Sequence, residues 1–208
     1  MTALRSGTVA GRPDLYISAD VETDGPIPGP YSLLSIGLCV AGEYDGHEFR
    51  RHDPASETFY AELRPISKDW QPDAMAVNGL DRGALLRKGS DPHDAMQSAS
   101  QWVRQVASDH RAVLVAYPVA FDWAFLYWYF VRFAQRGSPF GFSSCLDIRT
   151  LYQASAHTVH DLSGKEHMPA ELLPDRPHTH NALDDAIEQA ELFSNVFAWT
   201  LSDRRVTT

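Results

Sequence analysis

Residues 15–21 alternate in polarity, with Leu15, Ile17, Ala19 and Val21 on one face and Tyr16, Ser18 and Asp20, continued by Glu22, on the other. A period of two is that of a strand with one face turned to a core. A Gly/Pro cluster over residues 23–30 ends it, and residues 32–40 and 58–63 read as two further strands. Asp91-Pro92 then has the form of an N-cap followed by proline at the first helical position. Ala95, Ala99, Trp102, Val103 and Val106 recur behind it at helical spacing. Residues 112–117 form a short apolar strand and residues 121–135 a strongly apolar helix, and residues 144–147 read as a strand edge leading into a short helix. Residues 156–178 are rich in His, Pro and charge without periodicity, which predicts a long loop. A final helix covers residues 181–201. Three strands followed by alternating helices and strands predict an α/β fold, a mixed β-sheet flanked by α-helices.

The helix over residues 121–135 is apolar around nearly its whole circumference, whereas a surface helix needs one apolar stripe. Two coverings are open: a second copy of the chain, giving a homodimer, or the chain's own His-rich loop.

Composition changes this picture little. A length of 208 residues suits one domain, over residues 15–208, behind a mixed polar arm over residues 1–14 that is expected to be flexible. That arm lacks the apolar run of a secretion signal, and Arg132 interrupts the most apolar stretch well short of a membrane span. Neither secretion nor a membrane partner is expected. Cys39 and Cys145, both in apolar segments, read as buried free thiols, which fits a reducing cytoplasm. The formal charge of −9 disfavours a protein that coats long stretches of duplex. It is compatible with clustered carboxylates that hold divalent cations against phosphate.

Asp20 and Glu22, two apart on a strand, project from the same side at its C-terminal end, where α/β sheets place sites. Two acids so close repel unless a cation lies between them, although solvated charge is the plainer account of the pair alone. Asp122 follows the strand over residues 112–117 at the mouth of a helix, where a carboxylate also complements the macrodipole. His180 and Asp185 lie in His-Asn-Ala-Leu-Asp-Asp at the start of the last helix, with Asn181 as its cap. There Asp184 falls on the outer face and Asp185 on the face turned to the sheet.

Asp-x-Glu on the first strand, Phe-Asp after a middle strand and His-x-Ala-x-x-Asp on the last helix, in that order, resemble the DnaQ-like DEDDh exonucleases. The chain is similar to the stand-alone RNase T and oligoribonuclease type, a resemblance that leans the expected substrate toward short or single-stranded RNA. The resemblance takes in Leu34-Ser-Ile-Gly37 and Ala76-Val-Asn-Gly-Leu80 and spans about residues 15–197. It implies a ribonuclease H-like fold and a 3′-5′ exonuclease that releases 5′-mononucleotides from the 3′ end of single-stranded nucleic acid. It also implies two Mg²⁺ or Mn²⁺ ions, roughly 3.5–4 Å apart. Asp20, Glu22 and Asp185 would hold one ion, Asp20 and Asp122 the other, with His180 as general base. Many members carry Asn four residues before the middle Asp, where this chain has Pro118.

Two other readings stand beside this one. A nucleic-acid-binding module of the same fold would have no need of all five catalytic residue types. A zinc hydrolase built from His157, His160, His167, His178 and His180 would use spacings that match no standard zinc pattern. Arg64, Lys68, Arg82, Arg87 and Lys88 offer a path for a phosphate backbone, with an ordinary charged surface as the alternative, and aromatic side chains offer stacking for bases.

Overall fold

The computed structural model describes residues 11–203. Six strands are ordered β3-β2-β1-β5-β6, with β4 also paired to β2. They are β1 (Asp14–Thr23), β2 (Leu33–Tyr44), β3 (Phe49–Arg51), β4 (Thr58–Glu62), β5 (Arg111–Ala116) and β6 (Cys145–Asp147). β1 runs antiparallel to β2 and parallel to β5, so it is the central strand where the antiparallel and parallel halves of the sheet meet. The helices are α1 (Pro72–Asn78), α2 (Arg82–Lys88), α3 (Pro92–Ala107), α4 (Val119–Phe133), α5 (Ile148–Ser155) and α6 (Ala182–Asp203).

Each face of the sheet carries its own core. Leu15, Ile17, Ala19 and Val21 pack with Met96, Ala99 and Val103 of α3 and Phe125, Leu126, Tyr129 and Phe130 of α4. Tyr16, Cys39, Ala41 and Val115 point the other way, onto Ala186, Ala190, Phe193 and Phe197 of α6. The polar-looking face of β1 is therefore covered too, Ser18 included, because the 22 residues of α6 lie across it. Only Asp20 and Glu22, at the strand's end, lie where that cover begins.

Several elements differ from the reading of the sequence. The β3 strand and the helices α1 and α2 are short, three and seven residues, and carry too few periods to be seen in a hydrophobic pattern. Of the arm over residues 1–14, residues 1–10 lie outside the described residues. Asp14 already belongs to β1, and Arg12 donates to the carbonyls of Ser108 and Asp109. The loop over residues 156–178 contains three single 3₁₀ turns, and its Met168 and Leu172 join the α6 core. It does not cover α4. The outward side of that helix, with Trp123, Tyr127, Trp128 and Val131, lines an open apolar groove. Cys39 is buried, Cys145 is half-buried, and both are free thiols. Among the described residues no helix is long and apolar enough to cross a membrane.

Candidate active site

The first and last elements of the chain meet at the C-terminal end of β1. Gly37 of β2 is paired with Asp20, and a Cβ built on Gly37 would lie 2.1 Å from the carbonyl oxygen of Ala182. Only a glycine lets the first turn of α6 settle directly on the sheet. That turn is capped by Asn181, whose Oδ1 accepts from Leu183 and Asp184 N–H at 3.0 and 3.2 Å. One turn is thereby fixed in rotation, leaving Asp184 exposed and Asp185 fully buried, as the helical spacing predicts.

Carboxylate oxygens of Asp20, Glu22 and Asp185 lie within 4.8 Å of one another. Asp122 joins them from the first turn of α4, buried, its Oδ1 accepting from Val21 N–H at 3.1 Å. Val21 lies between the two acids of β1, so this bond ties the α4 carboxylate to the site. Among the described residues no lysine or arginine forms an ion pair with any of these four acids. The ring of His178 approaches them, its Nδ1 3.3 Å from Asp185 Oδ2.

Burial without a counter-charge disfavours the ionised forms. Burial is the main cause that pushes Glu22 up to about 7, with the Asp185 charge adding to it. Burial likewise takes Asp122 to about 8, against hydrogen bonds from its own and Val21 N–H. Asp20 stands well above the ordinary carboxylate range through burial and then the charges of Asp122, Glu22 and Asp185, opposed by a hydrogen bond from Gln189.

Gln189 was not singled out by the sequence. Its Nε2 donates to Asp20 Oδ1 at 2.7 Å and its Oε1 accepts from Tyr117 N–H at 2.6 Å, which locks the orientation of the amide and of the acid. The signal was its position one turn after Asp185, on the same helix face. Asp147 is a second residue of this kind. Pro118 ends the loop before α4 without a side-chain cap, after a cis Tyr117–Pro118 bond, and Asp147 Oδ2 instead accepts from Val119 N–H at 2.8 Å.

His180 precedes α6 with its backbone in the left-handed region, φ 58°, and its N–H donates to Asp185 Oδ2 at 2.8 Å. Its ring is exposed and meets that of His178 edge-on, centroids 4.7 Å apart. The other loop histidines do not join them. His160 contacts Gln153, His167 contacts Glu166, and His157 lines a cleft with Tyr16 and Tyr44 at the far end of β1. The five-histidine zinc set is thus dispersed. The basic path is also reduced, because Arg82 is held by buried Asp24 at 2.9 Å and Arg64 by Asp91 at 2.8 Å. Arg82 is thus a half-buried structural partner of Asp24, whereas the Arg64 pair is solvent-exposed, and Arg82, Arg87 and Lys88 lie on α2 rather than a loop.

A mixed sheet with α6 across one face and acids from β1, α4 and α6 at one end defines the ribonuclease H-like class of exonuclease. The family described as the 3′-5′ exoribonuclease Rv2179c-like domain matches residues 16–197, and the chain belongs to this family of 3′-5′ exonucleases. Among individual relatives, the 3′-5′ DNA exonuclease Cap18 of Escherichia coli is 39% identical over 181 residues, covering 86% of this chain and 90% of that protein. Ribonuclease T of Shewanella oneidensis is 32% identical over 178 residues, covering 84% and 78%. The fold is shared with the nuclease domain of 3′hExo, a DEDDh family member solved with rAMP, at a TM-score of 0.62 and 12% identity, covering 92% of each chain. Several other structural neighbours are longer, and the chain spans less than two thirds of them.

Proposed function

We propose that the acid cluster is the catalytic centre of a metal-dependent 3′-5′ exonuclease acting on single-stranded ends. The observation that carries this is three carboxylates from opposite ends of the chain within 4.8 Å, with no lysine or arginine paired to them among the described residues. Such a donor set fits hard divalent cations, Mg²⁺ or Mn²⁺. Asp20, Glu22 and Asp185 would hold one ion, and Asp20 with Asp122 a second. When bound, two such ions supply the positive charge that polarises the phosphodiester, acidifies water and stabilises the leaving 3′ oxygen. Gln189 holds the Asp20 carboxylate in one orientation, and the hydrogen bonds from Thr179 and His180 do the same for Asp185. His180, exposed beside the cluster, would accept the proton of the attacking water.

The strand would be received by exposed side chains around this end of the sheet. Trp70 precedes Gln71, whose N–H donates to Asp24 O, and Val77 precedes Asn78, whose amide donates to Thr23 O. Phe121 adjoins Asp122. All three are exposed, and Trp70 and Phe121 offer aromatic faces for stacking of unpaired bases. The names of the relatives divide between ribonuclease and DNA exonuclease, so the test uses both substrates. End-labelled single-stranded RNA and DNA are incubated with and without Mg²⁺, beside the Glu22→Gln variant. Release of 5′-mononucleotides from an open 3′ end, lost with chelator and in the variant, is the expected result. Degradation that persists in excess chelator would rule this reading out.

A homodimer through residues 121–135 would cover the open apolar face of α4. A monomer mass by light scattering at micromolar concentration would remove it.

A further inference from the structure

We propose that His178, His180 and Asp185 form a second metal site, distinct in chemistry from the acid cluster, which takes Zn²⁺ and holds the enzyme off. The inference rests on the exonuclease reading only for its consequence; the binding itself does not. Donor atoms of the three residues lie within 4.8 Å of one another, and Asp185 is common to this group and to the group of Asp20 and Glu22. Two imidazoles and one carboxylate favour zinc over the hard ions that suit an all-carboxylate set.

The geometry points the same way. A tetrahedral zinc with bonds of about 2.0–2.1 Å places neighbouring ligand atoms about 3.3–3.4 Å apart. His178 Nδ1 and Asp185 Oδ2 are 3.3 Å apart. An ion pair between them would need His178 alone, but the ring of His180 is also there, its centroid 4.7 Å from that of His178. Both rings are exposed and accessible to an incoming ion, while the carboxylate is buried and fixed.

The anchor of the site is rigid. Asp185 Oδ1 accepts from Thr179 N–H and Oγ1–H at 2.7 and 3.2 Å, and Oδ2 accepts from His180 N–H at 2.8 Å. The preceding loop is pinned by Lys165, whose Nζ donates to both oxygens of buried Glu188 at 2.8 Å and whose N–H donates to Tyr117 Oη at 3.1 Å. Three protein ligands leave the fourth position of a tetrahedral ion to water. An ion so held occupies the His180 lone pair needed to accept a proton and draws on an Asp185 oxygen needed by the acid cluster. The same residue pair that serves hydrolysis is thereby withdrawn from it.

The test measures zinc binding directly, by competition with a chromophoric chelator on metal-free protein, and then the zinc dependence of nucleotide release in Mg²⁺. The parent is expected to bind one zinc ion at this site and to lose activity as the site fills. His178→Ala, which lies outside the proposed catalytic set, should keep its basal activity, bind zinc at least about tenfold more weakly and resist inhibition. Asp20→Asn should bind zinc as the parent does. Equal zinc affinity in His178→Ala, or loss of zinc with Asp20→Asn, would overturn the proposal by placing the ion elsewhere or among the acids. Zinc bound in the expected pattern by a protein that releases no nucleotide would sink the exonuclease reading and leave the site standing. Activity insensitive to a filled site would overturn the inhibitory role.

Discussion

The α-carbon of Gly37 lies under the carbonyl of Ala182, so closely that a single added methyl would reach within 2.1 Å of the oxygen. The contact is backbone on backbone and neither side can rotate away. Gly37→Ala should therefore lift the first turn of α6 from the sheet, at a cost of about 1–3 kcal/mol. Turnover should fall further than stability explains, because Asp185 moves with that turn. Thermal unfolding beside the Mg²⁺-dependent rate checks both, and a variant with parental values would refute the close approach.

Gln189 orients Asp20 without reaching a reacting atom in this geometry. Gln189→Ala should lower turnover by about 10–100-fold and weaken divalent-ion binding in step, as loss of a ligand's supporting partner does. Titration of Mn²⁺ in the absence of substrate separates this from a general loss of stability. Unchanged Mn²⁺ affinity would reduce Gln189 to a packing role.

The two adjacent acids of α6 should behave differently. Asp184 is exposed at the third helical position and Asp185 is fully buried among the site's hydrogen bonds. Asp184→Asn should cost about 1 kcal/mol or less and leave the rate nearly intact. Asp185→Asn should cut the rate by about two orders of magnitude or more. The opposite ranking in folded variants would show that the rotation of α6 has been misassigned.

Metal-free protein should lose stability toward alkaline pH. Glu22 and Asp122 are raised to about 7 and about 8, so between ordinary carboxylate values near 4 and these values the folded chain holds protons that the unfolded chain has released. Their contribution is most favourable at the acid side of that window and declines as pH rises through it. Above it the site is a set of unpaired charges, and divalent ions should restore what was lost. Thermal unfolding in chelator, compared with Glu22→Gln, should show the decline in the parent and a shallower one in the variant. Parallel curves would remove Glu22 as a cause.

Asp20, Glu22, Asp122, His180 and Asp185 are singled out by the order of three motifs that resembles the DEDDh exonucleases, since each motif alone is also explained by solvated charge or a helix start. Periodicity adds only the side from which the acids of β1 and α6 project, and the structure gathers the acids at one end of the sheet. The central strands and long helices were legible from periodicity itself. Arg82 was not: its partner Asp24 is 58 positions away, and nothing local distinguishes a cation bound across that distance from one offered to phosphate. The role of Gln189 likewise depends on where α6 crosses β1, and Asp147 reaches α4 only because β6 lies beside β5. The covering of α4 could not be read either. An all-apolar helix announces a second contact but not its source, and the His-rich loop spends its apolar residues on the other face of the sheet.

Asp20 and Gln189 are 169 positions apart, and the acids between them reach the site from three separate elements. During translation at about 5–20 residues per second, Asp20, Glu22 and Asp122 leave the ribosome on the order of several seconds before the last helix can follow. Until it docks on Gly37 there is no Asp185, no His180 and no amide to orient Asp20. On the proposed catalytic role of these residues, a ribosome-bound or prematurely terminated chain that lacks α6 would therefore be inert toward the messenger and other nucleic acid around it. The long sequence separation that slows folding would then also delay nuclease activity until α6 has been made and has docked.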